Sequence, residues 1–131
     1  MTRTFFCREA VPEYAAIHDL VRRANEEAES IIRPGVRFCD IDRTARDLIC
    51  AAGYGPYFNH RLGHSIGLQD HEPGDVSQAN TAVAEEGMTF SIEPGIYLPG
   101  RFGVRIEDLV LVTSDGCEVL NKVDKHWKTI G

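Results

Sequence analysis

The chain has 131 residues, 43% of them apolar, and carries a net charge of −6. That is enough for one domain with its own core, and with no basic surplus it excludes nucleic acid as the main partner. No apolar run approaches the roughly 20 residues that span a bilayer, and Met1–Cys7 does not read as a secretory leader, so a cytoplasmic protein with no membrane partner is expected.

Residues 2–7, rich in Thr and Phe, read as a short strand. Beyond Pro12, apolar residues recur every three or four positions: Tyr14, Ile17, Leu20, Val21, Ala24, Ala28, Ile31 and Ile32. That period predicts a first helix, ended by Pro34-Gly35, with Asp19, Arg22, Arg23, Glu26, Glu27 and Glu29 on a solvated face. Asp40 reads as the N-cap of a second helix, with Ile41, Ala45, Leu48, Ile49 and Ala52 on its buried stripe and Gly53 at its end. Both helices read as scaffold covering a sheet.

Residues 55–76 are rich in Gly and His and lack a helical period. From Met88 the pattern turns to β: a strand over Met88–Glu93, a long one over Val104–Val112, the hairpin turn Asp115-Gly116 and a strand over Cys117–Leu120. Lys125-His126-Trp127-Lys128 reads as a tail with His126 on the surface. Two helices followed by antiparallel strands predict an α+β domain, an antiparallel sheet covered by two helices. Cys7, Cys39, Cys50 and Cys117 form no CxxC pair, which argues against a structural zinc site and for free thiols.

Two acidic residues stand out. Folding the chain about Gly100 sets Glu93 opposite Glu107. Like charges facing each other across a β ribbon destabilise it, so the pair points to a cation between them. His64 offers a third ligand, and an oxygen-rich set with one imidazole suits Mn²⁺, Co²⁺, Fe²⁺ or Zn²⁺. In the same register Arg105 joins Glu93 and Glu107 on one polar patch. The strand pattern alone also fits two exposed glutamates on an edge hairpin, with Arg105 as a surface partner. The histidines weigh against that alternative. His60, His64 and His71 fall close together, and Gly63 and Gly67 favour a loop or irregular strand whose backbone approaches a site. His71 is placed to donate to a carbonyl or oxyanion, and His60 to line the pocket.

Three ordered motifs, His60-x-x-Gly63-His64-x-x-Gly67 with His71-Glu72, Ser91-Ile92-Glu93-Pro94-Gly95, and Val104-Arg105-Ile106-Glu107-Asp108, resemble the pita-bread metallopeptidases. They look most like the Xaa-Pro branch, prolidase and aminopeptidase P. The resemblance implies a partial pita-bread fold, with residues 1–131 as a single C-terminal portion of the catalytic domain. It implies hydrolysis of Xaa-Pro peptide bonds, with a peptide carrying proline at P1′ as the partner. It places His64, Glu93 and Glu107 on metal-ligand positions. Glu93 doubles as the proton shuttle, and His60, His71 and Arg105 fall on substrate-pocket positions. The cofactor it implies is a divalent metal (Mn, Co or Zn), dinuclear in the family.

The family's two aspartate ligands precede a Thr-Arg-Thr-like run, and here Met1-Thr2-Arg3-Thr4 begins where that run begins. Asp19, Asp40, Asp42 and Asp47 do not match those positions. With both carboxylates missing, at most one weakly held metal and little peptidase activity are expected of this polypeptide alone. A sheet face and edge that the family covers with its other half imply a homo-oligomer. Two further readings fit the motifs less fully: a non-catalytic peptide- or protein-binding module on the same fold, and a creatinase-type C–N hydrolase.

Overall fold

The computed structural model describes all 131 residues. Helix α1 (Pro12–Ser30) opens on proline, whose missing N–H costs nothing in the first turn. Helix α2 (Phe38–Ala51) follows after a short turn. Then come β2 (Gly63–Ser65), β3 (Glu72–Val76), β4 (Thr89–Ile92), β5 (Gly95–Leu98), β6 (Phe102–Arg105), β7 (Asp108–Val112) and β8 (Cys117–Val119). At the two ends lie β1 (Phe6–Cys7) and β9 (Thr129–Ile130). The main sheet runs β3-β2-β4-β7-β8 and is antiparallel throughout.

The core lies between the helices and one sheet face. Ile17, Val21, Ala24 and Ala28 of α1 meet Ile41, Ala45 and Ile49 of α2. Phe90, Ile92, Val110 and Val112 close the cluster from the sheet. Alternation along β7 buries Asp108, Val110 and Val112 and leaves Leu109 and Leu111 half-buried on the far face.

The register about Gly100 holds. Gly95 pairs with Arg105 and Leu98 with Phe102, and beyond them Ile92 pairs with Asp108. The turn is closed by the Arg101 N–H donating to the Leu98 carbonyl, 3.0 Å, with Gly100 at φ +70° after Pro99, the backbone a type II turn requires. The long strand over 104–112 is instead two strands, because the ribbon opens between Ile106 and Glu107. Pro94 has no N–H for the ladder. The Glu93 N–H turns to the Leu62 carbonyl (2.7 Å), and the Glu107 N–H to the Thr2 carbonyl (3.1 Å). Both glutamates therefore sit where the ribbon splays.

Four other expectations need correction. The strand over 2–7 shrinks to β1, parallel to β9, with Thr2 bridged separately to Glu107. Asp40 is not the N-cap of α2. Arg37 flanks the helix start, and Asp40 lies in the first turn, bound to Arg37 (2.8 Å) and Arg43 (3.0 Å). Those guanidiniums, Arg37 foremost, hold the Asp40 carboxyl below its usual range. The residues beyond 124 are no loose tail, since Trp127 packs edge-on against Phe6, 5.7 Å between ring centroids.

Glu29 is buried, not solvated. Lys125 reaches it at 2.6 Å, donates to Asn25 at 2.7 Å, and lies 2.9 Å from the fully buried Asp108. Arg3 closes the cluster on Asp108 at 2.7 Å. Helical periodicity marked Glu29 as outer-face, but a cation from a segment far along the chain makes its burial tolerable. Burial still pushes the Glu29 carboxyl up, with Lys125 working against it.

Removing one partner from a buried charge cluster strands the others in low dielectric. Lys125→Met is expected to cost about 3–5 kcal/mol in urea unfolding, whereas loss of a mere surface pair would cost under about 1 kcal/mol. A second test concerns the seam of β2 and β4. A Cβ at Gly63 would lie 1.8 Å from the Ser91 carbonyl oxygen. Gly63→Ala is expected to destabilise by about 1–3 kcal/mol, the usual penalty of overpacking. An unchanged urea midpoint would show that the strands can part freely.

Candidate metal centre

Three elements converge on one point. Strand β2 brings His64, the β4–β5 bend brings Glu93, and the β6–β7 bend brings Glu107. One ligand atom from each lies within 4.8 Å of the other two. His64 is buried and the two glutamates are half-buried, so the donors face a partly dehydrated hollow.

The surrounding hydrogen bonds orient each donor. His64 Nδ1 lies 3.0 Å from its neighbour's carbonyl, that of Ser65. A carbonyl only accepts, so Nδ1 carries a proton and Nε2, which faces Glu93 Oε1 at 3.3 Å, is the nitrogen open to an ion. A metal cation or a second ring proton satisfies that pair of atoms. Ser91 donates to Glu93 Oε1 at 2.9 Å and accepts from the His64 N–H at 3.0 Å. The Thr2 hydroxyl donates to Glu107 Oε2. One imidazole nitrogen and two carboxylates, each held from behind by a second group, fit a divalent ion.

A cavity of about 190 Å³ opens beside this cluster, lined only by polar residues: His60, Arg61, His64, His71, Glu93 and Arg105. The structure thus brings together all six residues singled out from the sequence. Glu107 stands at the cluster, within the field of Arg105. Their circumstances differ. His71 is exposed, with its ring 4.1 Å from that of His64 and its Nδ1 3.3 Å from Asp70. His60 has both nitrogens engaged, Nδ1 with the Arg61 carbonyl (2.7 Å) and Nε2 with the Tyr97 hydroxyl (3.0 Å). Arg105 approaches Tyr97 (3.4 Å) and Thr2 (3.3 Å). The Tyr97 hydroxyl, with Glu93 and Glu107 beyond it, raises the Arg105 guanidinium above its ordinary value, so the cation is permanent.

Residue spacing did not single out Tyr97, Ser91, Thr2, Asp42 or Arg46. The last two form a buried clamp. Asp42 takes both arms of Arg46 (2.7 and 2.9 Å) and accepts from the Leu62 N–H (3.1 Å). Arg46 also donates to the Phe58 and His60 carbonyls, both 2.9 Å, and stacks over the Phe58 ring at 4.0 Å. The pair thereby fastens the histidine-bearing segment to α2. Its four-residue spacing on a predicted helix was a visible signal. Tyr97 carried a weaker one: in the hairpin register it sits two residues along from Gly95, which pairs with Arg105.

The profile of metallopeptidase family M24 matches residues 1–114. An uncharacterized peptidase of Staphylococcus aureus is 50% identical over 125 residues, covering 95% of this chain and 36% of that protein. The crystal structure of a recombinant prolidase from Thermococcus sibiricus superposes with a TM-score of 0.95 at 38% identity, over 98% of this chain and 35% of that one. An Xaa-Pro dipeptidase from Bacillus anthracis does so with a TM-score of 0.95 at 39% identity, over 98% and 36%. The chain thus spans about a third of the length of these relatives. Two helices over an antiparallel sheet, superposing this closely on pita-bread prolidase and dipeptidase domains, establish the fold. With the family profile matched over most of its length, this chain belongs to metallopeptidase family M24.

Proposed function

We propose that this chain carries the His–Glu–Glu share of the metal centre of a peptidase acting on Xaa-Pro bonds, and that residues 1–131 are a C-terminal portion of its catalytic domain. The convergence of His64, Glu93 and Glu107 within 4.8 Å carries the reading. The superposable prolidase and Xaa-Pro dipeptidase support it. His64 Nε2 and the carboxylates of Glu93 and Glu107 would hold the ion, which is Mn²⁺, Co²⁺ or Zn²⁺ by donor chemistry. When bound, such an ion polarises a carbonyl and eases the deprotonation of water.

The chain's own groups do the rest. Glu93, half-buried and fixed by Ser91, takes the proton of the attacking water and returns it to the proline nitrogen as that nitrogen leaves. His71, at the open side of the cavity, donates to the substrate carbonyl as negative charge develops there. His60 walls the pocket and fixes Tyr97, because neither of its nitrogens is spare. Arg105 supplies a fixed positive charge opposite the two glutamates.

A set of three protein donors with two negative charges is sparse for a pair of ions. Asp40 and Asp42 are bound to arginines and do not join the cluster. The 131-residue polypeptide therefore holds at most one ion, weakly, and turns over little or no Xaa-Pro substrate. Calorimetric titration with Mn²⁺ is expected to give one weak site, lost in both Glu93→Gln and Glu107→Gln, with no hydrolysis of Xaa-Pro dipeptides. Tight binding of two ions with turnover would overturn this account. Heat unchanged by either substitution would overturn the ligand assignment.

The same reading includes self-association. Leu109 and Leu111 lie half-buried on the sheet face away from the helices, and Leu120, whose N–H bonds the Leu109 carbonyl, is exposed beside them. β3 and β8 are free edges. No helix is long and apolar enough to cross a membrane, and four free thiols suit a reducing cytoplasm. Sedimentation velocity is expected to show a dimer or larger species, with a single monomer boundary at tens of micromolar as the contrary result.

A further inference from the structure

Residues 58–62, which lead into His64, belong to no helix or strand. Two charged side chains of α2 hold their backbone instead. Arg46 donates to the Phe58 and His60 carbonyls, both at 2.9 Å. The Leu62 N–H is shared between Asp42 Oδ2 (3.1 Å) and the Val76 carbonyl (2.9 Å). We propose that Asp42 and Arg46 are a positioning pair for the metal ligands, which sets the affinity and coordination geometry of the ion through Leu62 without touching the ion. This rests on the metal-centre reading above and deepens it.

The link is a single residue. Leu62 turns its N–H to Asp42 and its carbonyl to the Glu93 N–H, 2.7 Å away. His64 follows two residues on, its N–H 3.0 Å from the Ser91 hydroxyl that also donates to Glu93 Oε1. A shift of the Leu62 backbone therefore moves the nitrogen and the carboxylate that face each other at 3.3 Å. The seam gives little slack, since a Cβ at Gly63 would lie 1.8 Å from the Ser91 carbonyl oxygen. A second branch leaves the His60 carbonyl. Held by Arg46, that residue sets its ring 3.0 Å from the Tyr97 hydroxyl, which stands 3.4 Å from Arg105.

Holding two elements together does not by itself require charge. Asp42 is fully buried, and a well-packed apolar pair often joins two elements as firmly as a buried ion pair. Apolar packing fixes distance, whereas hydrogen bonds also fix direction. The planar guanidinium is a rigid fork of donors. Here it spans both oxygens of one carboxylate and two carbonyls set two residues apart. That fixes the course of the segment just before a metal ligand. Losing a group that orients a ligand from behind commonly costs about 10–100-fold in metal affinity.

The test titrates the intact chain with Co²⁺ and reads its visible absorption. Arg46→Lys keeps a cation beside Asp42 but loses the fork. It is expected to weaken Co²⁺ binding about tenfold or more and to shift the absorption band, with circular dichroism unchanged. Val112→Ala, at the end of β7 away from Glu107, is expected to lower the urea midpoint and leave Co²⁺ affinity and spectrum as they were. A further measurement needs no variant to fold. Coupling is reciprocal, so Zn²⁺ should slow hydrogen exchange of the Arg46 Nε–H and the Leu62 amide in the unmutated chain, read by proton–nitrogen NMR. Unchanged affinity and spectrum in Arg46→Lys, exchange at those two protons indifferent to Zn²⁺, or an equal loss of affinity in Val112→Ala would each overturn the proposal. Co²⁺ uptake by the unmutated chain is measured first, beside Glu93→Gln. No uptake, or uptake that Glu93→Gln leaves intact, would sink the metal-centre reading and the proposal with it. Uptake that depends on Glu93 but not on Arg46 would sink only the positioning role.

Discussion

The site depends on a ribbon that keeps its register while breaking its ladder. Ile92 pairs with Asp108 and Gly95 with Arg105 about the same centre, yet between those pairs the strands part. Pro94 cannot donate, and the N–H groups of Glu93 and Glu107 turn outward to Leu62 and Thr2. An unbroken ladder would hold two carboxylates side by side at a cost in repulsion. The splay gives them room, and it turns each backbone towards the neighbouring segment that holds it: Leu62, just before β2, and Thr2, just before β1.

Those neighbours then supply the electrostatics. Thr2 and Ser91 donate to the carboxylates, and Ser65 fixes the ring of His64. The Arg105–Tyr97–His60 relay sets a permanent charge and a walled cavity beside them. Behind the site, Arg3 bonds the Glu107 carbonyl and the Asp108 carboxylate together, at 2.9 and 2.7 Å. The buried charge cluster and the metal-facing glutamate are therefore parts of one framework.

Much of this was legible in the residues. The mirror register about Gly100 needs only a Pro-Gly turn and alternation on either side, and it placed Glu93 and Glu107 together. The apolar stripes of both helices were equally plain, except that Ala52 lies just past the end of α2 and is exposed. Features set by distant partners were not. The burial of Glu29 depends on Lys125, and the docking of the last residues depends on an aromatic contact between Trp127 and Phe6. The split of the 104–112 strand follows from a proline on the opposite strand, so the sequence of the split strand itself does not reveal it. Asp40 met the rules for an N-cap, but Arg37 and Arg43 offered its carboxylate stronger partners than backbone N–H groups.

The three donors lie on segments that touch only in the finished fold, and two of those segments are bends, not ladders. Bends have fewer backbone bonds to protect them and open at lower cost than the core. Affinity for an ion should therefore be among the earliest properties to fade on warming, while the helices and the sheet beneath still report an intact protein. An ion bound there would conversely rivet two loosely held bends to strand β2 and slow the exchange of their amide hydrogens.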